Sequence, residues 1–161
     1  GVAYTYLGIF YVAVPISLLN LAVFSVDAVY HYEILIGCLL ILWASDSGAY
    51  FAGTRFGKTK LFERVSPKKS WEGFLGGAFS AILVAFVISQ YFTVLEDWKW
   101  LVIAGIIIIA GTYGDLIESL FKRSIEIKDS GSVLPGHGGF MDRFDGLLLS
   151  APFITAFLKI C

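Results

Sequence analysis

An all-α fold, a polytopic membrane helix bundle of about five spans, is what this sequence predicts. Of its 161 residues, 57% are hydrophobic and only 16% are charged, whereas about a quarter of the residues in a soluble domain are charged. Several uncharged stretches approach the ~20 apolar residues that a helix needs to cross a bilayer. Most of the basic residues fall in two loops between these stretches. We therefore expect polar loops on one side of the membrane to form the functional site.

Five apolar stretches are predicted to be the spans. The first lies within residues 1–26, which carry no charge and include Pro15; a proline is tolerated when neighbouring groups satisfy the carbonyl it frees. The second contains one charged residue, Asp46, and the third lies uncharged between Glu72 and Glu96. The fourth carries acidic residues near its end, and the fifth is short, so we expect it to be truncated, tilted or partly buried in protein. The predicted spans are Tyr4–Phe24, Ile34–Thr54, Gly73–Leu95, Trp100–Phe121 and Gly146–Leu158.

The distribution of basic residues predicts the orientation of these spans. One cluster lies between the second and third spans and another between the fourth and fifth, so alternating spans place both on the same side. Because lysine and arginine accumulate in cytoplasmic loops, this side is predicted to be cytoplasmic. The same rule leaves open that some of these cations only fix topology. The clusters are Arg55, Lys58, Lys60, Arg64, Lys68 and Lys69, and Lys122, Arg123, Lys128 and Arg143; only Lys99 and Lys159 lie opposite.

Acidic residues occur near the cytoplasmic ends of three spans. A charge inside a bilayer costs ~3 kcal/mol, so it usually faces a partner or a water-filled cavity. Asp115, Ser119 and Lys122 have the spacing of one helical stripe. Carboxylates with a hydroxyl suit Mg²⁺, a hard cation that is also bound through substrate phosphates; the alternative is a set of helix-end acids that pair with nearby cations. The acids are Asp46, Asp115, Glu118 on the same stripe, Asp142 and Asp145.

Two polar segments have compositions that favour phosphate binding. SPKKSWEG, residues 66–73, places two lysines before the third span, whose positive helix end also favours anions. PGHGGF, residues 135–140, has three glycines whose N–H groups can approach a ligand closely; a plain turn is the alternative. AGTRFGKT, residues 52–59, fits a relaxed phosphate-loop pattern. A membrane span precedes it instead of the strand of an α/β sheet, so we interpret that match as false.

Composition also argues against other classes of function. The net charge of −1 indicates no nucleic-acid partner. Cys38 and Cys161 do not form a Cys-x-x-Cys pair, which excludes the common zinc and redox motifs, and Cys38 is expected to be an inert core thiol. Residues 1–161 form one predicted domain. Because the chain starts without Met or a signal sequence, we expect it to be the C-terminal part of a longer protein.

The polar segment in the second half of the chain resembles the signature of the phosphatidate cytidylyltransferases, or CDP-diacylglycerol synthases: SLFKRSIEIKDSGSVLPGHGGFMDRFD, residues 119–145. It contains S-x-F-K-R, then K-D, then L-P-x-H-G-G, then D-R-x-D. WASDSGAYFAG (43–53) and SPKKSWEGFLGG (66–77) are similar to other cytoplasmic-side motifs of that family. The resemblance covers essentially the whole chain as a single transmembrane catalytic domain.

What the resemblance implies is nucleotidyl transfer from CTP to phosphatidate in phospholipid biosynthesis, giving CDP-diacylglycerol and pyrophosphate with Mg²⁺ as cofactor. One substrate is a lipid held in the bilayer and the other is a soluble nucleotide. An enzyme for both needs a polar pocket at membrane depth, with the active site on the cytoplasmic side. We expect a bacterial plasma-membrane protein. Its oligomeric state is left open, including a homodimer.

The resemblance also implies roles for individual residues. Basic residues would hold phosphates, with Lys68 and Lys69 on the CTP tail; Asp46 would hold sugar, base or a second cation, and Asp129 would orient Lys128 or Arg123. The expected metal ligands are Asp115, Ser119, Asp142 and Asp145. The expected catalytic residues are Asp115, Lys122, Arg123, Lys128, Asp129, His137, Asp142, Arg143 and Asp145. The expected substrate-binding residues are Asp46, Ser66, Lys68, Lys69, Ser70, Gly138 and Gly139.

Three other functions were weighed against this one. Another CTP-dependent membrane lipid enzyme, such as a CDP-archaeol synthase or a polyprenol kinase, would keep only parts of the signature. A CDP-alcohol phosphotransferase would show D-G-x-x-A-R, and DGLLLS at residues 145–150 lacks the A-R. A cation or proton transporter would need acids near mid-span, whereas these acids are predicted at the span ends.

Overall fold

The computed structural model describes residue 6 and residues 8–24, 29–62, 66–124 and 144–161. These residues are mainly helical, which confirms the predicted all-α bundle, with one two-stranded antiparallel sheet added. A π-helical turn, Ile9–Ala13, leads into the first α-helix. The elements are α1 (Val14–Val23), α2 (Tyr32–Phe56), β1 (Lys60–Phe62), β2 (Ser66–Ser70), α3 (Trp71–Tyr91), α4 (Asp97–Ser124) and α5 (Asp145–Ile160).

Three of the described helices, α2, α3 and α4, are long and apolar enough to cross a membrane. They correspond to the second, third and fourth predicted spans. The predicted end of the third span at Leu95 is wrong, because α3 ends at Tyr91. Phe92 adopts an extended backbone with φ −99° and ψ 93°, and its carbonyl accepts a hydrogen bond from Trp100 Nε1 at 3.3 Å. Within the described residues, Ile9–Val23 is an apolar helix that falls inside the first predicted span, whose start at Tyr4 lies outside those residues.

Close contacts between small residues join α2 to α3. A Cβ atom added at Gly48 would lie 2.1 Å from Ser80 Oγ, and one added at Gly76 would lie 2.2 Å from the Ala52 Cβ. The order of these contacts makes the two helices antiparallel. The glycines thus let the two backbones approach closely, as is common between membrane helices.

The fifth helix, α5, buries one face in the bundle, which agrees with partial burial in protein, one of the three alternatives for the short fifth span. Leu147, Ala151 and Ile154 are buried in the core. Thr155 Oγ1 donates a hydrogen bond to Leu18 O at 2.9 Å, and Lys159 Nζ donates to Phe24 O at 2.9 Å. The later residue of α5 bonds the later residue near α1, so α1 and α5 run parallel.

The fourth helix, α4, runs antiparallel to α5. A Cβ added at Gly114 would lie 2.8 Å from Asp145 O, while Lys99 Nζ bonds Cys161 O at 3.1 Å at the other end of the pair. Lys69 of β2 reaches the carbonyl of Thr112 on α4. The hairpin, the C-terminal part of α4 and the start of α5 therefore share one end of the bundle, which we call the hairpin end.

The hairpin itself was not predicted. Its register pairs Lys60 with Ser70 and Phe62 with Ser66, and Trp71 N donates to Thr59 O at 2.9 Å. The strands are short, and Pro67 argues against a strand when the sequence is considered alone. In the fold, the hairpin connects the end of α2 to the start of α3 and carries Lys69 towards α4.

Candidate active site

Three acidic side chains meet at the hairpin end, and we call Asp115, Glu118 and Asp145 the acid cluster. Asp115 and Glu118 lie one turn apart on α4, and Asp145 is the first residue of α5. The carboxyl group of Asp145 interacts with those of Glu118 and Asp115. Glu118 is only 5% exposed. Because like charges repel strongly where water is scarce, this cluster attracts positively charged partners.

Lys69 supplies a positive charge at the edge of the acid cluster. Its Nζ forms an ion pair with Asp115 and donates to the carbonyl of Thr112 at 3.5 Å. The side chains of Lys69 and Asp115 are 23% and 43% exposed, so the pair is open to solvent on one side. The fold thus joins a residue predicted to bind nucleotide phosphates to one predicted to bind a metal.

The prediction that Asp115 and Ser119 share one face of a helix is confirmed. Ser119 Oγ donates a hydrogen bond to Asp115 Oδ1 at 3.4 Å across one turn of α4. On α5, the carboxylate of Asp145 accepts a hydrogen bond from the backbone N–H of Gly146 at 2.6 Å. Asp115, Ser119 and Asp145 therefore present oxygen atoms towards the same region of the hairpin end.

The hydroxyl group of Tyr11 also reaches this region. Tyr11 lies in the π-helical turn, and the carboxylates of Glu118, Asp145 and Asp115 act on its buried hydroxyl electrostatically. Sequence analysis did not assign a role to Tyr11, because one tyrosine in an apolar span carries no distinguishing signal. Glu118 was recognised among the acids but not as a site residue; its place on the Asp115 stripe was the available signal.

Ser70 and Glu72 organise the start of α3. Ser70 Oγ accepts a hydrogen bond from Gly73 N at 3.1 Å and so caps the helix. The Glu72 carboxylate accepts hydrogen bonds from the backbone N–H groups of Lys58 at 3.1 Å and Thr59 at 3.2 Å. These donors belong to the segment that fits a phosphate-loop pattern. A helix precedes that segment and a carboxylate uses its N–H groups, so its interpretation as a false match is confirmed.

The fold separates the two neighbouring lysines of the hairpin. Lys69 faces Asp115, whereas the side chain of Lys68 is exposed, as expected from the alternation of side chains along a strand. Ser66, predicted to bind substrate, pairs with Phe62 in the hairpin. The two lysines were predicted to act together on the CTP tail, and their placement now predicts different roles.

Asp46 lies near this end on α2. Leu42, one turn earlier, has its Cδ1 3.1 Å from where a Cβ of Gly146 would lie, so this part of α2 adjoins the start of α5. Asp46 is exposed and makes an interaction within the structure. Its predicted role with the sugar, the base or a second cation stays a prediction.

Much of the signature segment lies beyond the described residues. The backbone of residues 122 and 123 continues α4. The predicted site residues that fall outside the described side chains are Lys122, Arg123, Lys128, Asp129, His137, Gly138, Gly139, Asp142 and Arg143.

The oxygen donors at the hairpin end have the chemistry that a magnesium ion requires. Asp115, Ser119 and Asp145 offer carboxylate and hydroxyl oxygens, which hard cations prefer. Within the described part of the chain, no three His, Cys, Asp or Glu side chains are arranged to hold a metal ion together. Asp142, the remaining predicted ligand, lies outside that part. Magnesium binding therefore stays a prediction.

Comparison with known proteins identifies the family. A sequence profile described as the Cytidylyltransferase family matches residues 1–161. The chain belongs to the cytidylyltransferase family. The resemblance found in the signature segment is therefore confirmed, and the acid cluster lies within the residues that the cytidylyltransferase profile matches.

Three curated relatives share the name phosphatidate cytidylyltransferase. The Haemophilus influenzae protein is 41% identical over 147 residues, which cover 86% of this chain and 50% of that protein. The Staphylococcus epidermidis protein is 38% identical over 149 residues, covering 88% and 57%. The Bacillus subtilis protein is 35% identical over 158 residues, covering 90% and 59%. The cytidylyltransferase-family chain thus spans between half and three fifths of these relatives' lengths.

Proposed function

We propose that this chain is the catalytic part of a phosphatidate cytidylyltransferase, which makes CDP-diacylglycerol from CTP and phosphatidate. The observation that carries the proposal is the acid cluster with Lys69, gathered at one end of a bundle of apolar helices. A polar, charged site at the end of membrane helices can meet both a lipid phosphate and a soluble nucleotide. The names of the curated relatives support the same activity.

The proposed reaction is a nucleotidyl transfer. A phosphate oxygen of phosphatidate attacks the α-phosphorus of CTP, the bond from that phosphorus to the bridging oxygen of the β-phosphate breaks, and pyrophosphate leaves. A phosphate monoester is already ionised near pH 7, so the attack needs no strong general base. Both reactants are anionic, and the main task of the protein is to neutralise charge and align the groups in line.

Each described polar residue has a proposed part in this task. Asp115, Ser119 and Asp145, with Asp142, would hold Mg²⁺, which when bound would neutralise phosphate charge. Lys69, oriented by its ion pair with Asp115, would bind the CTP phosphates at the solvent-exposed edge. Further phosphate ligands are expected from the signature segment: Lys122, Arg123, Lys128, His137 and Arg143.

The proposed activity is tested by product formation with the full-length protein in detergent. CTP labelled on its α-phosphate and phosphatidate should yield labelled CDP-diacylglycerol and equimolar pyrophosphate. Diacylglycerol or a polyprenol offered with CTP should give no phosphorylated lipid, which separates this activity from that of a lipid kinase. Transfer of the γ-phosphate to an alcohol, or no CTP turnover, would overturn the proposal.

Replacing Lys69 by glutamine should raise the KM for CTP about tenfold, since a hydrogen bond to a charged group contributes about 1.5 kcal/mol. The KM for phosphatidate should change much less. Lys68→Gln is the matched control, because it removes the same charge from the neighbouring, exposed position. Steady-state kinetics with each substrate varied in turn provide the measurement. Equal effects of Lys69→Gln on the KM values of both substrates, or no effect, would restore the interpretation that these lysines only fix topology.

We also propose that the hairpin end faces the cytoplasm of a bacterial cell. In a Cys161→Ser background, Lys60→Cys and Gly131→Cys should react with a membrane-impermeant thiol reagent only after the cytoplasmic side is exposed. Asp97→Cys, at the opposite end of the bundle, should react in intact cells. Cys38 is buried and serves as an internal unreactive thiol. Labelling of Lys60→Cys and Gly131→Cys from opposite sides would exclude a shared pocket.

A further inference from the structure

Tyr11 carries a polar group that the proposed reaction has not yet used. Its hydroxyl is buried and has no hydrogen-bond partner among the described residues. Buried hydroxyl groups nearly always have a partner, because leaving one unbonded costs stability. Tyr11 lies in a π-helical turn, Ile9–Ala13, and such turns are rare and frequently occur at functional sites.

The packing of α1 against α5 explains why this hydroxyl reaches the acid cluster. The two helices run parallel and are held in register by the bond from Thr155 to the carbonyl of Leu18. Counted back from this bond at ~1.5 Å per residue, Tyr11 lies about 10 Å and Asp145 about 15 Å towards the hairpin end. The two positions differ by about one helical turn, and the tyrosine side chain spans that difference.

The surroundings of Tyr11 place it on an apolar side of the acid cluster. Its neighbours Ile9, Phe10 and Val14 are apolar side chains that are 48%, 66% and 39% exposed. Lys69 approaches the same cluster from the polar hairpin. The acid cluster thus has a hydrogen-bond donor on each of two flanks: the Tyr11 hydroxyl on the apolar flank and the Lys69 ammonium group on the polar flank.

We propose that Tyr11 donates a hydrogen bond to the phosphate group of the lipid substrate, from the apolar flank of the acid cluster. This inference rests on the proposed function. A neutral donor suits this position, because a tyrosine hydroxyl can bind a phosphate oxygen while its ring packs among apolar side chains. Tyr11 would then bind the lipid phosphate from the apolar flank, and Lys69 would bind the nucleotide phosphates from the polar flank.

The test is Tyr11→Phe in the full-length protein, which removes one oxygen atom. The KM for phosphatidate should rise about tenfold, the loss expected for one hydrogen bond to a charged group, and the KM for CTP should change less than about twofold. Tyr113→Phe is the matched control: Tyr113 lies on α4 near Asp115, but its side chain is 54% exposed. This control should leave both KM values unchanged.

A second measurement separates substrate binding from folding. Removal of an unbonded buried hydroxyl should leave the thermal unfolding midpoint unchanged or raised, so a loss of activity cannot be ascribed to a damaged fold. Without CTP, phosphatidate in detergent micelles should stabilise the Tyr11→Phe protein less than the wild type. Unchanged KM values for phosphatidate, or an increase in the KM for CTP alone, would overturn the role of Tyr11. A wild-type protein that turns over no phosphatidate would instead overturn the proposed function.

Discussion

Asparagine in place of Asp115 is expected to lower kcat by at least about a hundredfold, the size of loss typical when one electrostatic stabiliser of a transition state is removed. Asp115 lies between the other proposed metal ligands and Lys69, which is proposed to bind the CTP phosphates. It accepts a hydrogen bond from Ser119 and forms an ion pair with Lys69. The asparagine side chain keeps the shape of aspartate and an oxygen that can accept from Ser119, but it carries no negative charge. Lys69 then loses its ionic partner, and the proposed metal site loses a carboxylate. Steady-state turnover of CTP and phosphatidate measures the effect.

The matched control for this change is Asp97→Asn. Asp97 lies in the first turn of the same helix at the opposite end of the bundle, so it tests the loss of a carboxylate from α4 without touching the site. We expect less than about a twofold change in kcat, as for a surface substitution away from special features. Thermal unfolding should show both variants folded. Wild-type kcat in Asp115→Asn would remove the acid cluster from the mechanism.

Asp145→Asn is expected to have the second largest effect, with kcat falling about a hundredfold and the Mg²⁺ concentration for half-maximal activity rising. Asp145 lies against Glu118 and Asp115 at the start of α5, so its carboxyl group is placed to contribute to the proposed cation site. The asparagine oxygen can still accept from Gly146 N, which keeps the helix start intact. Activity measured over a magnesium titration, with both substrates saturating, gives the two quantities.

Ser119→Ala provides the graded comparison for the magnesium titration. It removes a neutral oxygen from the same site and leaves the carboxylates in place, so we expect measurable turnover with a raised Mg²⁺ requirement. Asp142→Asn, at the remaining predicted ligand, should resemble Asp145→Asn. An unchanged magnesium dependence in all three variants would show that these oxygens do not hold the metal.

The helical nature of the chain could be predicted because it depends on composition over short stretches. α2, α3 and α4 lie where charge-free runs predicted them. The contact between Asp115 and Ser119 could also be predicted, because residues four apart face each other on any helix. The end of α3 could not, since Phe92 is as apolar as its neighbours. A hydrogen bond from Trp100, on the next helix, accompanies the extended backbone at Phe92.

The candidate site was predicted only in part. Sequence analysis named Asp115, Ser119, Asp145 and Lys69 separately, but it treated Lys68 and Lys69 as equivalent. The hairpin separates them, because successive side chains of a strand point to opposite faces. That hairpin was missed, and Ser70 was predicted to bind substrate although the structure shows that it also caps α3.

The membrane character of this cytidylyltransferase-family chain, its long helices and the acids near their ends could all be predicted from the order of the amino acids. These properties depend on the solvation of side chains and on the fixed period of a helix, and both are local. The pairing of Lys69 with Asp115 and the approach of Tyr11 to the acid cluster became visible only in the folded chain. Such contacts join elements far apart in the chain. They depend on how small residues let helices approach and on the register of α1 against α5, which no single stretch encodes.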